Sequence, residues 1–215
     1  MTPPLAPVTL RGTHVRLEPL AESHVDALWE VGRDAALWTY STVPMTGRDD
    51  MRRYVETALA ERAAGTAMPF VHVEQAGGRV VGSTRYGNYA PEHARVEIGW
   101  TWIAGPWQRT AVNTEAKRLM FAHAFEVLGA GRVELKADAL NERSRAAMRR
   151  LGAVEEGVLR RHMATASGRV RDTVYFSVLA DEWPAVRARL DARLAQPSPA
   201  IAAARPPAAA NPEPD

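Results

Sequence analysis

Three observations predict a layered α/β (α+β) fold, a mixed sheet with helices packed on it. The chain passes through strand-like and helix-like segments in the order strand, helices, three strands, helix, strand, helix, two strands. Glycines punctuate these segments where a turn or helix end is needed, at Gly65, Gly77-Gly78, Gly129, Gly152 and Gly168. A length of 215 residues suits one domain with short tails.

The elements follow in order. Residues 8–10 and 14–19 predict a short strand pair around Arg11-Gly12-Thr13. Residues 22–31 are amphipathic, with Val25, Leu28 and Trp29 at i, i+3, i+4. Residues 37–45 read as an apolar, aromatic loop. Thr46 is a candidate cap for a helix over 48–64 that carries Asp49 and Asp50 in its first turn. Residues 68–74 and 79–86 predict a hairpin. In the strand over 94–103, alternation puts Arg95, Glu97, Gly99 and Thr101 on one face. Val96, Ile98, Trp100 and Trp102 take the other, and Gly105-Pro106 ends the strand. A helix over 114–128, a strand over 132–138 and a helix over 141–151 come next. A hairpin over 154–163 and 170–179 and an amphipathic helix over 181–194 complete the domain, which spans 8–194. Residues 1–7 are expected to be flexible. From residue 195 the chain is mostly Ala and Pro, which bury too little apolar surface to offset ordering, so a disordered tail is expected over 195–215.

Composition excludes several classes. A net charge of +2 argues against nucleic acid. Only Lys117 and Lys136 are lysines; every other basic residue, histidine aside, is Arg. The absence of cysteine removes disulfides, thiolate zinc and a Cys nucleophile. The six histidines show no ligand spacing, so no metal is expected. Neither a signal-peptide pattern nor a membrane-length apolar run is present, so no membrane partner and a cytoplasmic location are expected.

Two motifs carry chemistry. Gln108-Arg109-Thr110-Ala111-Val112-Asn113 runs into a helix that continues Thr114-Glu115-Ala116. A helix start offers unpaired N–H groups and a partial positive charge to a phosphate. Asn141 opens the later helix, with Ser144 and Arg145 in its first turn. Between them, Glu97 is the one carboxylate in the apolar stretch Val96-Glu97-Ile98-Gly99-Trp100. Burial favours the protonated form of such a group and suits a general base. A structural ion pair of Glu97 with Arg85 or Arg95 is the alternative.

This pairing of loop–helix and Asn–Ser helix resembles the GNAT acyltransferase superfamily, and within it the RimJ/RimL-like N-acetyltransferases, over about residues 10–193. The resemblance implies a mostly antiparallel sheet with helices on both faces. It implies a CoA-dependent N-acyltransferase that moves an acetyl group from acetyl-CoA directly to a primary amine. The acceptor would be a small-molecule amine or a protein N-terminus, and the enzyme a monomer or homodimer. A CoA-binding module without catalysis is the alternative. The family loop reads Gln/Arg, two variable residues, Gly, one variable, then Gly or Ala; Ala111 and Asn113 stand at the small positions here. Cofactor binding falls to Thr101, Trp102 and Ile103 on the strand, to Gln108, Arg109, Thr110, Ala111, Val112, Asn113 and Thr114 at the loop, and to Asn141 and Arg145. Ser144 would assist the leaving thiolate, since the family's tyrosine, seven residues after the Asn, is Met148. Trp38, Tyr40, Arg85, Tyr86 and Trp100 are acceptor-site candidates. Arg160, Arg161 and His162 on the last hairpin would either meet an acidic acceptor group or form a solvated strand edge.

Overall fold

The computed structural model describes residues 3–196. One sheet contains Leu10–Arg11 (β1), Val15–Pro19 (β2), Met68–Glu74 (β3), Val80–Ala90 (β4), Arg95–Ile103 (β5), Arg132–Asp138 (β6), Val154–Ala164 (β7) and Val170–Leu179 (β8). The strand order is β1-β2-β3-β4-β5-β6-β8-β7, and every neighbouring pair is antiparallel except β5–β6. The helices are Val25–Gly32 (α1), Arg48–Ala63 (α2), Ala111–Ala122 (α3), Glu142–Leu151 (α4) and Trp183–Leu194 (α5).

Alternation along β3 feeds two cores. Met68 and Phe70 pack with α3 and α5, through Ala116, Met120, Phe121 and Leu190. Val71 and Val73 point the other way and pack with α1 and α2, through Leu28, Met51 and Val55. Each of these buried Val, Leu, Phe and Met side chains contributes about 1.5–3 kcal/mol by leaving water. The helices therefore cover both faces of the sheet. Glu115 ties α3 to the sheet edge. Its buried carboxylate accepts the backbone N–H groups of Thr13, His14 and Val15 at 2.9, 2.6 and 2.8 Å. Gly12 is required there, because a Cβ would lie 2.3 Å from the Glu115 carboxyl carbon.

Three local expectations are corrected. α3 begins at Ala111 and not at Thr114, because Thr110 is its cap: the hydroxyl accepts from Val112 N at 3.3 Å and donates to Trp107 O at 2.7 Å. A π-helical turn over His123–Val127 carries the helix on towards Gly129, at φ +65°. Thr46 does not cap α2. Gly47 holds that position, and Asp50 instead accepts from both the backbone N–H and the hydroxyl of Thr46.

The third correction shapes the centre of the molecule. β5 does not alternate evenly. Ser83 faces Trp102 and Arg85 faces Gly99, so Trp100 and Thr101 together oppose Thr84. Trp100 adopts φ +50°, a left-handed conformation costly for a bulky residue. The bulge swaps the faces. Ile98 packs with the α3 core, whereas Trp102 packs with α1 and α2. Thr101 is turned to α3 and Trp100 stands 37 % exposed. At the chain ends, Leu5 packs against the larger core. Of the tail expected from residue 195, only Ala195, which ends α5, and Gln196 are described; 197–215 lie outside the described residues.

Candidate active site

The one parallel strand pair opens like a wedge. β5 and β6 pair only at Arg95–Arg132, Val96–Val133 and Glu97–Glu134. Beyond Glu97, β5 stays with β4 and runs through the bulge, while β6 stays with β8 as far as Asp138. A cavity of about 270 Å³ fills the wedge, walled by β5, β6, the start of α3 and one side of α4. A second, of about 250 Å³, lies towards the 37–43 loop and β8. Gly99–Trp102, Lys136, Asn141 and Ser144 line both, so the cavities meet at the bulge.

The first cavity has the features a CoA-type ligand needs. Beyond Glu97 the β5 edge that faces β6 has no ladder partner, which leaves backbone groups to pair with an extended amide chain. Gln108, Arg109 and Asn113 line the cavity beside the α3 N-terminus, with the exposed guanidinium groups of Arg143 and Arg150 opposite. That cationic mouth suits a pyrophosphate. Gln108 also donates to Ile103 O at 2.7 Å, locking the loop to the end of β5. The unusual backbone falls on Arg109, at φ +64°, and not on Ala111 or Asn113, which are helical. Among the other loop candidates, Val112 and Thr114 are buried, and neither they nor Thr110 and Ala111 line the cavity. Thr101, Trp102 and Ile103 do line it.

Glu97 is buried at the junction, on the side of the second cavity. Its Oε2 receives Lys136 Nζ at 2.6 Å and Asn88 Nδ2 at 2.6 Å. The anticipated arginine partners are engaged elsewhere, Arg85 with Glu61 at 2.6 Å and Arg95 with Glu134 at 3.0 Å. Oε1 lies over Gly99, where a Cβ would come within 2.8 Å. Burial lowers the pKa of Lys136, but the hydrogen bond and charge of Glu97, with smaller contributions from Tyr175, together outweigh it and hold the net shift upward. The Lys136 ammonium also sits 4.8 Å from the Tyr175 ring centroid.

Asn141 caps α4, its Oδ1 accepting from Ser144 N at 3.0 Å, and both side chains face the cavities. Met148 lines the first cavity. Arg145 turns away from it. It pairs with Glu142 and Glu155 and donates to Ala139 O, so Arg143 and Arg150 take the place foreseen for it. Trp38, Tyr40 and Trp100 line the second cavity. Tyr86 does not: it is wholly buried, and its hydroxyl donates to Met120 O at 2.5 Å. Arg85 is also buried and stacks 4.8 Å from the Trp100 ring and 5.2 Å from the Tyr54 ring. It supports the wall from behind. Arg160, Arg161 and His162 occupy an irregular stretch of β7 between Leu159 and Met163, exposed and outside both cavities.

The sequence reading missed Lys117, Lys136, Asn88, Arg143, Arg150 and Arg171. For the lysines a signal existed: the chain uses Arg at nearly every basic position, and its only two lysines both line the cleft. Lys117 is buried on α3, with Nζ 2.6 Å from Thr101 Oγ1 and 3.5 Å from Thr84 Oγ1. With no carboxylate beside it, burial lowers its pKa to about 7. Nearby His72 is fully buried; burial, then the Lys117 charge, pull its pKa down to about 3 against a weaker opposing contribution from the Gly82 backbone.

A sheet split at its parallel pair, with a helix N-terminus at the mouth and a capped Asn–Ser helix opposite, is the architecture of an acyltransferase. Comparison with known proteins gives the family. The Acetyltransferase (GNAT) domain profile matches residues 14–154, and the chain belongs to the GNAT family of N-acetyltransferases. It is RimJ/RimL-like within that family. It is 36% identical over 106 residues to the Bacillus subtilis (strain 168) protein named "Putative ribosomal N-acetyltransferase YdaF". That match covers 49% of this chain and only 57% of the relative. Among solved structures, a GCN5-related N-acetyltransferase from Brucella melitensis aligns with TM-score 0.83 at 31% identity, over 90% of this chain and 88% of that one. Mycobacterium smegmatis RimJ, in complex with CoA-disulfide, aligns with TM-score 0.71 at 25% identity, over 89% and 93%.

Proposed function

We propose that residues 8–194 form a single acyltransferase domain that moves an acetyl group from acetyl-CoA to a primary amine within a ternary complex. The observation that carries this reading is the meeting of the two cavities at the β5 bulge, with Glu97 on one side and Ser144 at the junction. The thioester supplies an activated acyl carbon. The β5 edge and Asn141 hold the pantetheine arm, and Gln108, Arg109, Asn113, Arg143 and Arg150 hold the phosphates. Backbone N–H groups near the bulge face the developing oxyanion. Glu97 accepts the amine proton through its free Oε1, directly or through water, while Lys136 and Asn88 fix Oε2. Ser144 hydrogen-bonds the leaving sulfur. Trp38, Tyr40 and Trp100 shape the acceptor cavity. The RimJ and ribosomal N-acetyltransferase relatives support a protein N-terminus as one acceptor class and a cytoplasmic location. A small-molecule amine is the other class.

A thiol-release assay with acetyl-, propionyl- and succinyl-CoA against pooled amines and N-terminal peptides tests the reading. Acetyl-CoA turnover that depends on an added amine is the expected result. Tight CoA binding without turnover across the panel would instead favour a non-catalytic CoA-binding module.

A further inference from the structure

The acceptor cavity contains a cation that no carboxylate neutralises. Four charged side chains line it: Glu97, Lys136, Asp138 and Arg171. Glu97 and Lys136 pair with each other, and Asp138 pairs with Arg169. Arg171 is left over. It projects from β8 beyond the point where that strand's pairing with β6 ends, at Asp138–Thr173. Its Nε donates to Thr173 Oγ1 at 3.1 Å, and its Nη2 reaches Met163 Sδ at 3.4 Å. Among the described residues, Nη1 has no hydrogen-bond partner and no carboxylate lies within ion-pair distance of the guanidinium.

This isolation is unusual for an arginine so placed. Arg171 is half-buried, and charged groups in such settings are normally paired. Burial lowers its pKa, and the more distant Asp138 and Glu97 offset this in part. A guanidinium with one free edge facing a cavity is shaped to receive a carboxylate or another oxyanion. The basic triplet on β7, which the sequence suggested for such a role, lies outside the cavity.

We propose that Arg171 is the anchor for an anionic group on the acceptor, so that the substrate is an amine carrying a carboxylate or similar oxyanion near its reacting nitrogen. The inference rests on the acyl-transfer reading of the two cavities. The amine would approach Glu97 while the anion meets Arg171, two opposite charges at two ends of one cavity. Such an arrangement selects by charge pattern as well as by shape.

The test compares matched acceptors that differ only in charge: glycine with glycinamide, β-alanine with β-alaninamide, and peptides beginning Ala-Asp with peptides beginning Ala-Asn. Thiol release is measured for the full chain and for Arg171→Gln and Arg171→Lys. Binding of the same compounds to the CoA-loaded protein is measured by calorimetry. Wild type should favour the anionic member of at least one pair, and Arg171→Gln should cut that kcat/KM ratio about 10- to 100-fold, with partial recovery in Arg171→Lys. Preference within the amino acid pairs identifies a small acceptor, and preference within the peptide pairs an acidic N-terminus. A ratio unchanged by Arg171→Gln, or a wild type that neither prefers nor binds the anionic member of any pair, overturns the inference. Charge-selective binding lost in Arg171→Gln, with no thiol release from any acceptor, would uphold the anion site and overturn the acyl-transfer reading.

Discussion

The two walls of the cleft treat their lysines in opposite ways. On the β6 wall, Lys136 meets Glu97 at 2.6 Å and is held charged. On the α3 wall, Lys117 meets only hydroxyl groups, and burial brings its pKa down to about 7. The same side chain is thus a fixed charge on one wall and an amine that loses its proton near neutral pH on the other. Burial alone does not set the state of a buried cation; the partner does. The paired wall adjoins the proposed acceptor cavity, where Glu97 is the proposed base. The unpaired wall lies behind the β5 bulge, where Lys117 props Thr101 and burial weakens its hold on a proton.

Breaking the paired wall should have the largest effect. Glu97→Gln removes the proposed base and leaves Lys136 without its counter-charge. Turnover at neutral pH should fall about 10²- to 10⁴-fold, with a smaller change in CoA affinity. Steady-state kinetics and calorimetry separate the two, and full rate with an unaltered pH profile would make Glu97 a structural partner of Lys136.

The unpaired wall predicts a stability effect of definite sign. Below pH 7 both folded and unfolded chains protonate Lys117, and the burial penalty is felt in full. Between about 7 and the ordinary 10.5, the unfolded chain binds a proton that the folded chain lacks, so stability rises with pH. Lys117→Met should remove this slope and raise stability at pH 7, by at most roughly 4–5 kcal/mol. Denaturant melts of both proteins at pH 7 and pH 10 read the difference directly; parallel curves for the two would show that Lys117 keeps its proton when folded.

Two smaller changes sharpen the contrast at the junction. In Gly99→Ala, the new Cβ would meet Glu97 Oε1 at 2.8 Å and push the carboxylate off its position. A loss of about 10- to 100-fold in kcat is expected, since ångström displacements at a reacting group are costly. Wild-type kcat would mean that Glu97 tolerates displacement. Ser144→Ala should lower kcat by about 10-fold and leave CoA affinity within a few-fold, the pattern of a bond made mainly in the transition state. Equal kcat, with chemistry limiting, would confine Ser144 to the first turn of α4.

Much of the scaffold was written locally. Strand patterning gave the bounds of β3 and β6, and glycines at left-handed angles marked the ends of α4 and the 123–128 turn. The Asn141 cap and the Gln108 loop were legible because capping and loop chemistry act between near neighbours. Glu97 stood out as a lone acid in an apolar strand. Its partner did not. Lys136 reaches it only because β5 and β6 run parallel and separate just beyond Glu97.

The sequence by itself determined the element order, the family motifs and the candidate base. Those depend on periodicity and short-range spacing, which the chain states residue by residue. Only the tertiary structure decided the bulge at Trp100, which turned Ile98 and Trp102 to opposite faces. It also decided the retreat of Tyr86 and Arg145 from the cleft and the arrival of Lys117, Arg143, Arg150 and Arg171. These outcomes depend on which distant segments meet, and a burial or pairing partner far away in the chain leaves no local period to read.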